Sequence, residues 1–262
     1  MLDGYISGCK LYNRALTLSE IKNNYNQDAT EYDSIPTIPV SGLSLYYDTD
    51  VYTSYSSSAG FATDLTGNSY SGSLVNGVAL RLPLPKCYSF DGTDDYIQVS
   101  PAFSFNPSTT DFTVSCWAMV LTVKDNATLI DLQASGAGSL DLYTTSSGYA
   151  NFRSRPSGGA TTTLVSTTSS VITASTWVHL TFVKSTSNTT GYLYVNGVLN
   201  NSNNFSNNNA LPSSTGTMYL GYYADAAIYN NCRIANVMVY TQLLSSSDVL
   251  QLYNTHKYRF GK

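Results

Sequence analysis

The sequence predicts an all-β protein. It reads as a two-sheet antiparallel sandwich with a short capped helix at its carboxy-terminal end and a strand–helix extension at its amino-terminal end. Three observations carry this. Short apolar or alternating runs recur along the chain, with turn residues between them. Charged residues make up only 11% of the 262, while 22 tyrosines and abundant Asn, Ser, Thr and Gly supply the vocabulary of strands and polar turns. Finally, one element is written twice. Ile6–Asn26, ISGCKLYNRALTLSEIKNNYN, aligns without a gap with Ile234–Asn254, IANVMVYTQLLSSSDVLQLYN, at a constant offset of 228 positions. A self-match at fixed spacing sets the module size.

Each copy reads as a strand followed by a helix. In the second copy Val237 and Val239 point one way, and Met238 and Tyr240 the other. Thr17-x-x-Glu20 and Ser245-x-x-Asp248 are capping boxes, in which the hydroxyl takes an amide of the first turn and the acid reaches back to the cap amide. Leu16 with Ile21, and Leu244 with Val249, have the spacing of a hydrophobic staple. Residues 1–30 are therefore expected to be the strand–helix end of a preceding module or a donated element. Residues 31–41, with Pro36 and Pro39, read as a semi-rigid linker. Residues 42–262 read as the sandwich itself.

Within that sandwich, GLSLYY (42–47) is the first strand. DLTGNSYSGSL (64–74) is a loop entering a short strand, and YSFDGTDDYIQV (88–99) is strand, Asp-Gly turn, strand. DFTVSCWAMVLTV (111–123) is apolar throughout, as a central strand buried on both faces would be. Further strands are expected at 127–132, 139–144, 149–153, 161–166 and 177–184. YLYVNGVL (192–199) is a hairpin, because Asn196-Gly197 suits the positive dihedrals of a type I′ turn. By composition Ser202–Asn209 is a loop, and Thr217–Tyr222 is a strand before the closing element.

Composition narrows the function. The net charge is −4 and no basic run exists, so nucleic-acid binding lacks its electrostatic basis. No apolar run reaches membrane-spanning length, so membrane insertion is not expected. Cys9, Cys87, Cys116 and Cys232 show no CxxC pairing, which argues against zinc and favours free thiols. His179 and His256, the only histidines, have no nucleophile paired to them by motif and read as structural.

Four pieces occur in a recognisable order: DLTGNSYSGSLVNG; YSFDGTDDYIQV with FTVSCWAMV; TWVHLTFVKSTSNTTGYLYVNGVLNNS; and LGYYADAAIYNNCRIANVMVYTQLLSSSDVLQLYN. Together they resemble the laminin-G-like branch of the concanavalin A-like lectin/glucanase jelly rolls, over about Gly42 to Tyr258. The charge-poor, Asn/Ser/Thr/Tyr-rich texture is similar to modules of virion proteins of tailed phages and large DNA viruses. The resemblance implies a non-enzymatic structural or adhesion protein at a virion surface or outside the cell. Its partners would be neighbouring subunits and surface glycans. The alternative is a dedicated carbohydrate-binding lectin module, dependent on calcium.

Hydrolases of this fold need two carboxylates, one of them protonated. The only two glutamates, Glu20 and Glu31, precede the sandwich, and Asp91, Asp94 and Asp95 sit in a turn where Asp serves the backbone. For glycan binding the candidates are Tyr222, Tyr223, Asp225 and Tyr229, where ring faces can stack on sugars beside a carboxylate. Tyr52 and Tyr55 are of the same kind. For calcium, held by carboxylate and amide oxygens at a loop rim, the candidates are Asp64, Asn68 and Asp225.

Overall fold

A computed structural model describes residues 11–17, 20, 38–51, 54–56, 60–81, 85–134, 138–155, 162–205, 211–212 and 215–262. The chain divides into two compact units, Met1–Pro36 and Thr37–Lys262.

In the first unit the predicted capping box is formed. The Glu20 amide donates to Thr17 Oγ1 at 3.3 Å, and the Thr17 amide donates to the Glu20 carboxylate at 2.9 Å. Arg14 reaches the same carboxylate at 2.5 Å. That bond, followed by those from Thr17, holds the Glu20 carboxyl down at about 2. The rest of the expected strand and helix, residues 6–10, 18–19 and 21–26, lies outside the described residues, as does Tyr52.

The second unit carries nineteen described strands. The first seven are β1 (Leu43–Tyr47), β2 (Tyr55–Ser56), β3 (Phe61–Ala62), β4 (Ser71–Val75), β5 (Ala79–Arg81), β6 (Cys87–Asp91) and β7 (Tyr96–Ser100). Then come β8 (Phe112–Val120), β9 (Ala127–Gln133), β10 (Ser139–Thr144), β11 (Ala150–Arg155), β12 (Thr162–Ser166), β13 (Trp177–Ser185) and β14 (Thr190–Val195). The last are β15 (Val198–Asn204), β16 (Met218–Leu220), β17 (Tyr222–Tyr223), β18 (Ile228–Tyr229) and β19 (Asn231–Tyr240), followed by helix α1 (Ser246–His256). One sheet runs β15-β14-β13-β8-β19-β6-β5, with β1 also on β19; the other runs β12-β11-β10-β9-β16-β7-β4-β3-β2. We call them the front and back sheets.

The closing strand β19 explains the alternation seen in the sequence. Val237 and Val239 enter the core between the sheets, while Met238 and Tyr240 face outward beneath α1. Leu244, Val249 and Leu252 close over that outer face, so the predicted staple is part of a second apolar cluster. Burying each such side chain contributes roughly 1.5–3 kcal/mol. Ser245 and Asp248 form the capping box that starts the helix. Beside it, Phe260 stacks on Trp117 at 4.2 Å between ring centres. β8 is thus covered on both faces, as its unbroken apolar run requires. The main core is aromatic at its centre, where Phe152 and Phe182 stack in parallel at 3.6 Å.

Asn196 and Gly197 have φ of 51° and 79° and turn the β14–β15 hairpin. The chain departs from the sequence reading just after it. Ser202–Asn204 continue β15 instead of entering a loop. The reason is local: Asn201 and Asn203 donate side-chain N–H groups to the carbonyls of Ser166 and Leu164 on the edge of β12, at 2.7 and 2.8 Å. Amides that usually mark a turn here join the edges of the two sheets.

Candidate functional site

The outward face of the back sheet is polar, and its strands stand in register. Arg153 on β11 faces Asp141 on β10, Asp141 faces Asp131 on β9, and Asp131 faces Tyr219 on β16. Both aspartates are fully buried. Arg153 Nε donates to Asp141 Oδ2 at 2.6 Å. Gln133 Nε2 donates to both oxygens of Asp131, at 3.1 and 2.8 Å. Asp141 Oδ1 is buried without a hydrogen-bond donor. Burial first, and the adjacent Asp141 second, raise the Asp131 pKa well above the usual carboxylate range.

A small hairpin, β17 and β18 joined by a turn at Ala224–Ala226, folds over this row. The Ala224 amide donates to Asp131 Oδ2 at 2.9 Å. Tyr223 lies over the guanidinium of Arg153 at 4.5 Å, and Tyr143 lies on the same group at 4.2 Å. Asp225 pairs with Arg155 at 2.5 Å, and Lys124 Nζ donates to the Tyr229 carbonyl at 2.6 Å. Tyr222 stacks on Tyr229 at 4.7 Å and on Tyr96 at 5.0 Å, with Tyr219 edge-on at 5.6 Å. Next to the hairpin is a cleft of about 730 Å³, lined by Phe103, Ser104, Gln133, Thr215, Tyr219 and Asp225 among others.

The structure therefore gathers Tyr222, Tyr223, Asp225 and Tyr229 on one hairpin, and gives them different tasks. Asp225 reaches the cleft. Tyr223 is buried against the arginines, and Tyr222 and Tyr229 brace the hairpin. Asp131, Asp141, Arg153, Tyr96 and Tyr219 were missed in the sequence. The one available signal was a charged residue set among leucines and isoleucine in TLIDLQ and SLDLY.

The calcium candidates have other work. Asp64 Oδ1 accepts from the amides of Tyr46 and Thr66, and its Oδ2 from the Thr66 hydroxyl. Asn68 Nδ2 donates to the Ser44 carbonyl at 3.0 Å. Among the described residues, the group of three acids with oxygens within 4.8 Å of one another is Asp91, Asp94 and Asp95. Two of these also serve the turn: Asp91 accepts from the Thr93 amide and Asp95 from the Asp91 amide.

Both histidines are buried in the front sheet and its helix. His179 Nε2 meets Ser115 Oγ at 2.9 Å, and His256 lies against Tyr46, the Leu252 carbonyl and Asp48. Cys87, Cys116 and Cys232 are free and buried, and burial pushes their thiols up, to about 11 for Cys87 and about 12 for Cys116. Cys9 lies outside the described residues.

Two antiparallel sheets packed face to face, closed by a strand that carries a capping helix, define a jelly-roll sandwich. The chain belongs to the concanavalin A-like lectin/glucanases superfamily, whose family model matches residues 91–250. None of the curated proteins compared matches the sequence. Similar solved structures include the binding domain of botulinum neurotoxin DC in complex with SialylT, at 14% identity and TM-score 0.62, covering 84% of this chain and 52% of that one. The botulinum neurotoxin serotype D binding domain matches at 17% and 0.62, covering 81% and 51%. The binding domain of Paraclostridial Mosquitocidal Protein 1 matches at 19% and 0.60, covering 82% and 52%. The chain spans about half the length of these structures. At such identity the likeness is one of fold. No helix among the described residues is long and apolar enough to cross a membrane.

Proposed function

We propose that the chain is a non-catalytic carbohydrate-recognition module of an adhesion protein displayed on a virion or another extracellular surface. The observation that carries this is the cleft beside the β17–β18 hairpin. It offers the ring of Tyr219 for stacking on a sugar face, the carboxylate of Asp225 for its hydroxyls, and Ser104 and Thr215 as further polar groups. The hairpin is fixed from below by Asp131 and from the side by Tyr96, so the site is rigid before ligand arrives. A glucanase role has less support. The Asp131–Asp141 pair lies under the hairpin with neither side chain exposed to solvent, leaving no gap for a glycosidic bond. A glycan array with wild type and Tyr219→Ala tests the reading. Micromolar binding that falls at least tenfold in the variant is expected, and silence across a broad array would sink it. A chelator arm decides calcium dependence.

A second role, contact with a neighbouring sandwich, has its own support. In the carboxy-terminal copy Val239 and Tyr240 are fully buried, whereas their counterparts Leu11 and Tyr12 are 96% and 43% exposed. Asn236, which turns β19 with φ 50°, has Gly8 as its counterpart, the residue best suited to that dihedral. In the sandwich both sides of β19 are occupied, by β8 on one and by β6 and β1 on the other. The amino-terminal copy thus matches the closing position of another sandwich of this build. Deleting residues 1–36 is expected to leave the melting temperature unchanged. A fall of several degrees would count against this role.

A further inference from the structure

We infer that the cleft takes a sugar bearing an acetamido group, with Gln133 as the residue that reads its N–H. The inference rests on the carbohydrate-binding reading above and names the sugar class. Every polar group of Gln133 but one is engaged within the fold. Its backbone amide donates to the Thr217 carbonyl at 2.9 Å, and its carbonyl accepts from the Gly216 amide at 2.6 Å. Its Nε2 donates to both oxygens of Asp131. The side-chain amide is thereby fixed in direction, because turning it over would set Oε1 against two carboxyl oxygens. Oε1 accepts from no described group, and Gln133 lines the cleft. A fixed acceptor of this kind reads an N–H or O–H group on a ligand.

What surrounds Gln133 favours an acetamido group over a bare hydroxyl. Tyr219 stands opposite Asp131, and Gln133 lies two residues further along β9 on the same face. Tyr219 and Gln133 are therefore diagonal neighbours, so a pyranose lying on the ring holds its substituents near Oε1. The Ala224 amide meets the same Asp131 oxygen as Gln133 Nε2, which brings a methyl side chain to that end of the cleft. Ala102 and Ala134 line it as well. An acetamido group supplies an N–H for Oε1 and a methyl for these alanines. Its carbonyl can accept from Ser104, an exposed residue whose hydroxyl bonds to no described group. A bare hydroxyl would satisfy Gln133 and leave the alanines facing water.

Two pairs of methyl glycosides test this: glucose with N-acetylglucosamine, and galactose with N-acetylgalactosamine. Each is titrated by ligand-observed NMR into wild type, Gln133→Met and Ala224→Val, with thermal melts to show which variants are folded. In wild type the N-acetyl member of at least one pair is expected to bind about tenfold more tightly than its parent sugar, the worth of one hydrogen bond and a covered methyl. Gln133→Met should lose most of that difference by removing the acceptor, and Ala224→Val by filling the space for the methyl. Equal binding within both pairs, or tighter binding of the parent sugars, overturns the inference and leaves carbohydrate recognition intact. So does an N-acetyl preference that survives in both folded variants. If Gln133→Met does not fold, the wild-type pairs and Ala224→Val decide. Silence of wild type towards all four sugars also overturns the inference, and binding to other members of the glycan array then shows whether the wider reading stands.

Discussion

Asparagine at position 131 isolates the contribution of one buried carboxyl group's ionisation. In Asp131→Asn the amide oxygen can accept from Gln133 and Ala224, as the Asp131 oxygens do. The new N–H can donate to Asp141 Oδ1, which has no other donor. Shape and bonds are kept, and ionisation at this position is removed. The folded pKa of Asp131 is raised by burial and by Asp141. In the fold Asp131 therefore keeps a proton that the unfolded chain releases above pH ~4. Stability from this group is full below that pH and is lost as pH climbs towards the folded pKa, at up to about 1.4 kcal/mol per unit. Between pH 4 and pH 7 the ceiling is about 4 kcal/mol, and we expect roughly half of it, since Arg153 offsets part of the charge. Asp131→Asn should then be near neutral at pH 4 and more stable than wild type by about 2 kcal/mol at pH 7, a rise of roughly 4–8 °C. Paired urea and thermal melts from pH 4 to 9 measure this, and the histidines cancel because both proteins carry them. A difference that does not change with pH would refute the raised pKa of Asp131. A variant destabilised equally at both ends would refute the geometry.

Three further outcomes are expected. Burial lowers His179 to about 3 in the fold, so the stability present above pH ~6.5 is lost as pH falls towards 3. His179→Gln should flatten that acid limb of the melting curve, and an unchanged limb would assign it to other groups. Ser245→Ala should cost about 1 kcal/mol in urea denaturation by opening the capping box; no loss would mean that tertiary packing alone holds the first turn. Gly197→Ala should cost about 1–2 kcal/mol, because its new Cβ would lie 2.8 Å from the Tyr253 Cβ at a φ of 79°. A stability equal to wild type would show that the turn relaxes.

Features set by neighbours in sequence were legible before the structure. The type I′ turn depends on Asn196 and Gly197 alone, both capping boxes on residues three apart, and the alternation of β19 on strand period. The β17–β18 hairpin was also partly legible, since Tyr222, Asp225 and Tyr229 are close in sequence. The row from Arg153 through Asp141 to Asp131 was not. Its members belong to three strands, and a shift of one residue in pairing would turn each side chain to the other sheet face. Tyr96 and Tyr219 were hidden for the same reason. The end of β15 was misread because Asn is scored by its backbone habits, and its side chains here reach across to the carbonyls of β12.

Those side chains bear on how the molecule behaves when crowded. Exposed strand edges recruit strands from other molecules, and proteins commonly discourage this with lysines. This chain has few ions to spend on mutual repulsion. With Asn201 and Asn203 already bonded to the carbonyls of Ser166 and Leu164, that margin of β12 offers a newcomer fewer open acceptors. Packed densely as an array, copies of the sandwich would resist fibrous aggregation along this seam through satisfied amides, and added salt would do little to weaken that protection.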